Sequence, residues 1–325
     1  MKSPHHSKQE DYIATFPAGA FDVIARQLKR FTIDDLKILE HDESAVMFRT
    51  QFTQERLIEM RFFTNVYMVI NTDHLRQYKR FIKTESFRLF EFTNGAPTEI
   101  APETKQELTA LIEEQLHIKP NVSRFSHDFV IHRRTMGEPV LTLRLSRAKH
   151  KREDVRAGSL RPELANILLL TAAPSSSDTL LDPFAGYGAI PKEAVRGFGV
   201  KNVIAVEKND EAAQLITQKG VRVHTGDATN LYMLLNNTID RVVTDPPWGN
   251  YDDQNVADLH EVYEKSLSEI HRVLKPQGTA VVLSGNDVLD TVLTKALGMK
   301  MLKSYPILVS GKKATVFKLQ KIKES

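Results

Sequence analysis

The sequence predicts an α/β protein: a C-terminal, mostly parallel, doubly wound sheet with an antiparallel last strand, preceded by two smaller α+β units. Three observations lead there. Past residue 178, apolar β-branched runs alternate with amphipathic stretches, the rhythm of parallel β-α units. The last two strands meet as a hairpin at Ser310-Gly311, which makes the closing edge antiparallel. The first seventy or so residues run β-α-β-β-α-β, the ferredoxin-like order.

In chain order, DYIATF (11–16) reads as a strand and AGAFDVIARQLKR (18–30) as an amphipathic helix. Strands follow at 36–41 and 44–50 around the acidic turn His41-Asp42-Glu43, then a helix at 53–61 and a strand at 65–70. This sets a ferredoxin-like domain at 1–71. A second α+β unit at 72–150 has helices near 73–82 and 102–117 and strands at 127–134 and 138–146, joined around Met136-Gly137. Alternation in VLTLRLSR puts Leu141, Leu143 and Leu145 on one face and Arg144 on the other. Residues 151–177 form a linker and a helix that starts at Pro162 and stops before Pro174. The last domain, 178–325, has strands at 179–181, 202–206, 221–224, 239–244 and 278–284, helices at 188–197, 209–219, 256–274 and 286–297, and hairpin strands near 301–309 and 313–319.

A net charge of +3 does not announce a nucleic-acid binder, but the charge is uneven. Residues 132–152 carry seven Lys/Arg, namely Arg133, Arg134, Arg144, Arg147, Lys149, Lys151 and Arg152, against the single acid Glu138. A solvated sheet face explains such a run, and so does a surface for phosphates. The absence of cysteine removes disulfides, thiolate metal sites and every cysteine nucleophile, and fits a reducing, cytoplasmic setting. No stretch reads as a signal peptide or membrane span, and His5 and His6 lie in a polar tail, so no metal site is expected.

In doubly wound sheets ligands sit beyond the carboxyl ends of the strands, so the residues just after each strand are the informative ones. After the first comes DPFAGYGAIPKEA, in which Gly186 and Gly188 allow a tight turn and close backbone approach to a ligand at a helix N-terminus. A dinucleotide fingerprint needs a third glycine where this chain has Pro191. Glu207 ends the next strand, where a carboxylate can accept both hydroxyls of a ribose, and Asp227 follows the third, where it can accept from an exocyclic amine. With Asp182-Pro183 they describe a pocket for a nucleoside with a zwitterionic tail.

The strand 239–244 ends in TDPPWG. Two prolines stop it and stiffen the loop. A planar nitrogen is a poor nucleophile until hydrogen bonds turn its lone pair out of conjugation, and the Asp245 carboxylate with the Pro246 carbonyl can accept its two N–H groups. Pro247 adds rigidity, and Trp248, the sole tryptophan, offers a flat face on which a base can stack.

These residues in this order resemble the class I S-adenosylmethionine-dependent methyltransferases. DPFAGYG resembles their first motif, Glu207 their ribose acid, Gly226-Asp227-Ala228 their adenine loop and DPPW their catalytic fourth motif. The resemblance implies cofactor contacts from Asp182, Pro183, Phe184, Gly186, Gly188, Glu207, Asp227, Ala228 and Asp245, and action on a planar nitrogen. Lack of cysteine excludes methylation of pyrimidine carbon 5, and Asp in place of Asn at 245 leans toward guanine. With the upstream units and VRAGSLRPELA, the chain resembles the THUMP-domain tRNA guanosine N2-methyltransferases. That resemblance implies that 72–150 is a THUMP-like RNA-binding unit gripping the tRNA acceptor end, and that Ser159 and Leu160 approach the cofactor. Nothing demands more than a monomer or an obligate protein partner. Two other readings stand beside it: methylation of adenine in nucleic acid or of a protein glutamine amide, and a non-catalytic RNA-binding protein with a methyltransferase-like domain.

Overall fold

The computed structural model describes residues 9–33, 35–82, 86–134, 138–145, 159–249, 256–295 and 298–323. They form two compact units, one of residues 1–16 and 28–149 and one of 17–27 and 150–325. Among the described residues no helix is long and apolar enough to cross a membrane.

The first unit is built on one nine-stranded sheet, ordered β2-β3-β1-β4-β9-β8-β5-β6, with β7 beside β5. Its first part comprises β1 (Glu10–Thr15), β2 (Leu36–His41), β3 (Ala45–Thr50), α2 (Gln54–Ile58) and β4 (Asn65–Val69), while α1 (Phe21–Leu28), between β1 and β2 in the chain, falls almost wholly in the second unit. The order β2-β3-β1-β4, antiparallel throughout, is the ferredoxin-like arrangement expected from the sequence. The acidic turn closes because Asp42 Oδ1 accepts from the N–H groups of Ser44 and Ala45, each at 2.8 Å.

Beyond Ile70 the sequence reading needs correction. The helix expected at 73–82 is a 3₁₀ stretch, Thr72–Phe81, whose entry Asn71 caps through Oδ1 to Asp73 N–H at 2.9 Å. Two unexpected strands follow, β5 (Ser86–Thr93) and β6 (Ala96–Thr98), turning at Asn94-Gly95 with φ of 49° and 83°. After them come α3 (Pro102–Leu116), β7 (Lys119–Pro120), β8 (His127–Arg133) and β9 (Val140–Arg144). The Met136-Gly137 connection lies outside the described residues. β9 pairs with β4, Tyr67 opposite Arg144 and Met68 opposite Leu143, so one sheet joins the segments expected as separate units at 1–71 and 72–150. Nor is the face bearing Arg144 solvated: Thr142 is fully buried beside Leu141 and Leu143.

In the second unit the chain enters through α4 (Pro162–Ala172) and alternates: β10 (Thr179–Asp182), α5 (Ala189–Phe198), β11 (Asn202–Glu207), α6 (Asp210–Gln214), β12 (Val221–Thr225), β13 (Ile239–Thr244), α7 (Val256–Val273), β14 (Leu274–Ser284), α8 (Asp287–Thr294), β15 (Met299–Val309) and β16 (Lys312–Lys321). The sheet order is β12-β11-β10-β13-β14-β16-β15, parallel from β12 to β14, with β16 antiparallel to both neighbours. Its core runs through Leu181, Val206, Val242, Tyr263, Val282 and Phe317. The strand order reverses between β10 and β13, and the crevice at such a switch point is where ligands bind.

Residues 17–27 belong to this second unit. Leu308 N–H donates to Ala18 O at 2.9 Å, Arg26 to the Tyr305 hydroxyl at 2.5 Å, and Lys303 pairs with Asp22 at 3.3 Å. Gly19, with φ +89°, is required there, since a Cβ would stand 2.0 Å from Pro306 O.

Candidate active site

The first strand end is shaped around Asp182, which is 1% exposed. Its Oδ1 accepts from Thr244 Oγ1 at 2.7 Å and Phe184 N–H at 3.2 Å, tying the ends of β10 and β13 together. Burial without a cation disfavours the charged carboxylate more than these donors favour it, and its pKa rises from 3.8 to about 7.

Gly186 and Gly188 both have positive φ, 51° and 79°. A Cβ on Gly188 would come within 2.9 Å of Ile216, whereas one on Gly186 would meet nothing within 4 Å. The glycine turn is thus packed beneath Gly188 and open above Gly186, beside the N-terminus of α5. Glu207 is oriented by Gly186 N–H on Oε2 at 2.7 Å and Asn209 N–H on Oε1 at 2.8 Å, and each oxygen keeps a lone pair. Gly226 N–H bonds to Glu207 O at 2.9 Å and brings the Asp227 loop alongside.

Asp227 accepts from Thr229 N–H at 2.9 Å and Thr229 Oγ1 at 2.7 Å, and its Oδ2 pairs with the exposed Lys208 at 2.9 Å. Burial pushes its pKa up, but these hydrogen bonds outweigh it and hold the group below the usual value. Ala228 is buried beneath the loop. Ser159 Oγ is sequestered without a hydrogen-bond partner among the described residues, and Leu160 is half-buried; no described hydrogen bond ties either to the strand ends.

At the end of β13, Asp245 is partly buried, Pro246 buried and Pro247 exposed. Trp248 is engaged at its N–H edge and against Gly285. Its indole N–H donates to Asp245 Oδ1 at 2.8 Å, and its ring lies against Gly285, where a Cβ would come within 2.0 Å of it. Among the described residues nothing donates to Asp245 Oδ2 or to the Pro246 carbonyl, so the two acceptors expected for an amine are available. Desolvation raises the Asp245 pKa from 3.8 to about 7, against the lowering effect of the Trp248 bond.

Residues not anticipated from the sequence hold this loop. Tyr263 on α7 donates its hydroxyl to Pro247 O. Asn286 Nδ2 donates to the Tyr263 hydroxyl at 2.8 Å and to Trp248 O at 3.3 Å, while its Oδ1 caps α8. Asn286 at a strand end carries an N-cap signature, but its reach to the loop depends on tertiary placement.

The described members of the basic run are committed elsewhere. Arg133 pairs with the buried Glu91 at 3.0 Å, Arg134 with Glu40 at 3.3 Å and Asp42 at 3.2 Å, and Arg144 with the buried Asp128 at 2.9 Å. The last also donates to the Tyr67 hydroxyl at 3.0 Å. These three brace the sheet, and for Arg133 and Arg144 the pairing offsets the desolvation of the buried Glu91 and Asp128. Arg147, Lys149, Lys151 and Arg152 lie outside the described residues.

A parallel sheet closed by an antiparallel penultimate strand, with glycine turn, two strand-end acids and DPPW around its switch point, defines a class I methyltransferase fold. The family model described as UPF0020: RMKL-like, methyltransferase domain, matches residues 149–205 and 196–314, and the chain belongs to that family. It is 31% identical over 147 residues to the tRNA (guanine(10)-N2)-dimethyltransferase of Methanothermobacter thermautotrophicus, a match covering 43% of each protein. The chain thus spans less than half the length of that curated relative. Its fold is shared over 97% of its length with all of TrmN from Thermus thermophilus, at a TM-score of 0.79 and 19% identity. SMU.472, solved complexed with SAH, shares it over the whole of both chains at a TM-score of 0.68 and 12% identity.

Proposed function

We propose that the protein is an S-adenosylmethionine-dependent methyltransferase acting on the exocyclic N2 of a guanosine in tRNA. The observation that carries this reading is the pair of available acceptors at the end of β13, Asp245 Oδ2 and the Pro246 carbonyl, beside the open glycine turn. The name of the 31% identical relative supports guanine N2 and tRNA as the target. The ferredoxin-like sheet and its extension through β5–β9 would serve as the THUMP-like RNA platform, and a cytoplasmic monomer suffices for the task.

The residues fit the cofactor. Space above Gly186 admits a ligand to the backbone, and the free lone pairs of Glu207 suit a ribose diol. Asp227 suits the adenine amine, and Asp182, bonded to Thr244 and Phe184, holds the strand end from which the glycine turn starts. When bound, S-adenosylmethionine supplies an electrophilic methyl group. Asp245 Oδ2 and Pro246 O accept the two N–H groups of the amine and turn its lone pair outward. Asp245 then takes up the proton that the nitrogen sheds. Both roles need an ionised Asp245, so turnover rises with pH through about 7.

The test is Asp245→Ala, assayed for transfer of labelled methyl to unmodified tRNA and, by calorimetry, for SAH binding. Transfer should fall by at least about 100-fold, the lower end of general acid–base contributions, with SAH binding within a few-fold of wild type. Turnover that survives the change contradicts the reading.

A further inference from the structure

We infer that Trp248 is a positioning residue for Asp245: its indole N–H fixes Oδ1, leaving Oδ2 and the Pro246 carbonyl to receive the amine. The inference rests on the reading of Asp245 as the amine acceptor and adds a role that ring stacking does not supply. An aspartate carboxylate, turning about Cα–Cβ and Cβ–Cγ, presents either oxygen in many directions. The 2.8 Å bond from Nε1 removes that freedom, and among the described residues it is the only hydrogen bond that Asp245 receives on its side chain.

The tryptophan is itself held. Its ring sits where any side chain at 285 would intrude, with 2.0 Å between a Cβ there and both Cδ2 and Cε3. Its carbonyl accepts from Asn286 at 3.3 Å, the carbonyl before it accepts from Tyr263, and Asn286 links the two donors at 2.8 Å. Glycine is needed at 285 for this close approach, since its φ is not among the positive ones. Tryptophan is needed at 248 because phenylalanine keeps a flat ring but has no N–H to give. Gly285 covers one ring face, which leaves the other for a base.

Trp248→Phe separates positioning from stacking in the 325-residue chain, assayed with labelled S-adenosylmethionine and unmodified tRNA. Its kcat should fall roughly 10- to 100-fold, the rate equivalent of one hydrogen bond to a charged group, with KM for tRNA within about threefold. The acidic limb of its kcat–pH profile should move to higher pH, because the lost N–H favoured the ionised carboxylate. SAH binding, measured in parallel, reports whether the domain is folded. Gly285→Ala supplies an independent arm: it leaves Trp248 in the chain while denying the ring its place, and should reproduce both the kcat loss and the pH shift. Wild-type kcat and pH profile in Trp248→Phe, or in Gly285→Ala should the first variant not bind SAH, overturn the inference. Asp245→Ala distinguishes the two levels: an active Asp245→Ala sinks the acceptor reading, whereas an inactive one beside a fully active Trp248→Phe sinks only the positioning role.

Discussion

Asp182 ends β10 and Asp245 follows the neighbouring β13, and burial, which penalises the charged form, pushes both carboxyls up to about 7. With folded values above the ordinary 3.8, each contributes stability that is fully present below about pH 3.8 and lost as pH rises through 7. Asp245→Asn removes the titration, so its melting temperature relative to wild type should climb between pH 4 and pH 8. A gain of about 2–4 °C at the upper end corresponds to roughly 1 kcal/mol for a unit of this size. A gap that stays constant with pH contradicts the assignment. The acids themselves were legible in the sequence, because Asp182, Glu207, Asp227 and Asp245 each sit just beyond an apolar strand. Thr244 and Gly285 were not: the one matters through a hydroxyl aimed at β10, the other through the absence of a side chain under an indole 37 positions away. Such roles come from tertiary proximity and leave no periodic trace.

Helix α7 carries a brace at the level of elements. Arg272 donates to Leu231 O and Leu234 O, each at 2.9 Å, and to Asn236 Oδ1 at 2.7 Å, while Glu269 accepts Leu231 N–H at 2.6 Å and pairs with Arg272 at 2.7 Å. The segment that follows Asp227 is thereby stapled to the helix packed beside it. Arg272→Ala should weaken SAH binding by roughly tenfold, the equivalent of one charge-assisted hydrogen bond, and unchanged affinity by calorimetry would show that the brace does not reach the cofactor loop. The β-α alternation that places α7 was readable from period alone, as was the ferredoxin-like order before residue 71. β5 and β6 escaped even though Asn94-Gly95 is the dipeptide that a two-residue hairpin favours. In β5, burial is concentrated at Phe87 and Glu91 rather than on every second residue, so its alternation is weak.

For the whole molecule, the N-terminal sheet is continuous from β2 to β6, and the described arginines of the basic run pair with Glu40, Asp42, Glu91 and Asp128, Arg134 and Arg144 largely covered and Arg133 still 42% exposed. Composition could not show these pairings, because a paired and an unpaired cation look alike in sequence. The second unit, by contrast, announces its chemistry in order along the chain, since strand ends and loops follow one another as the sheet does. Its membership of the RMKL-like methyltransferase family rests on residues 149–314, and the step to guanosine in tRNA is the central claim built on it. The most direct measurement is to incubate the 325-residue chain with labelled S-adenosylmethionine and unmodified tRNA, digest to nucleosides and identify the labelled product by mass. The account predicts label in N2-methylated guanosine. Label in adenosine, in a protein glutamine or in no nucleoside at all would contradict it.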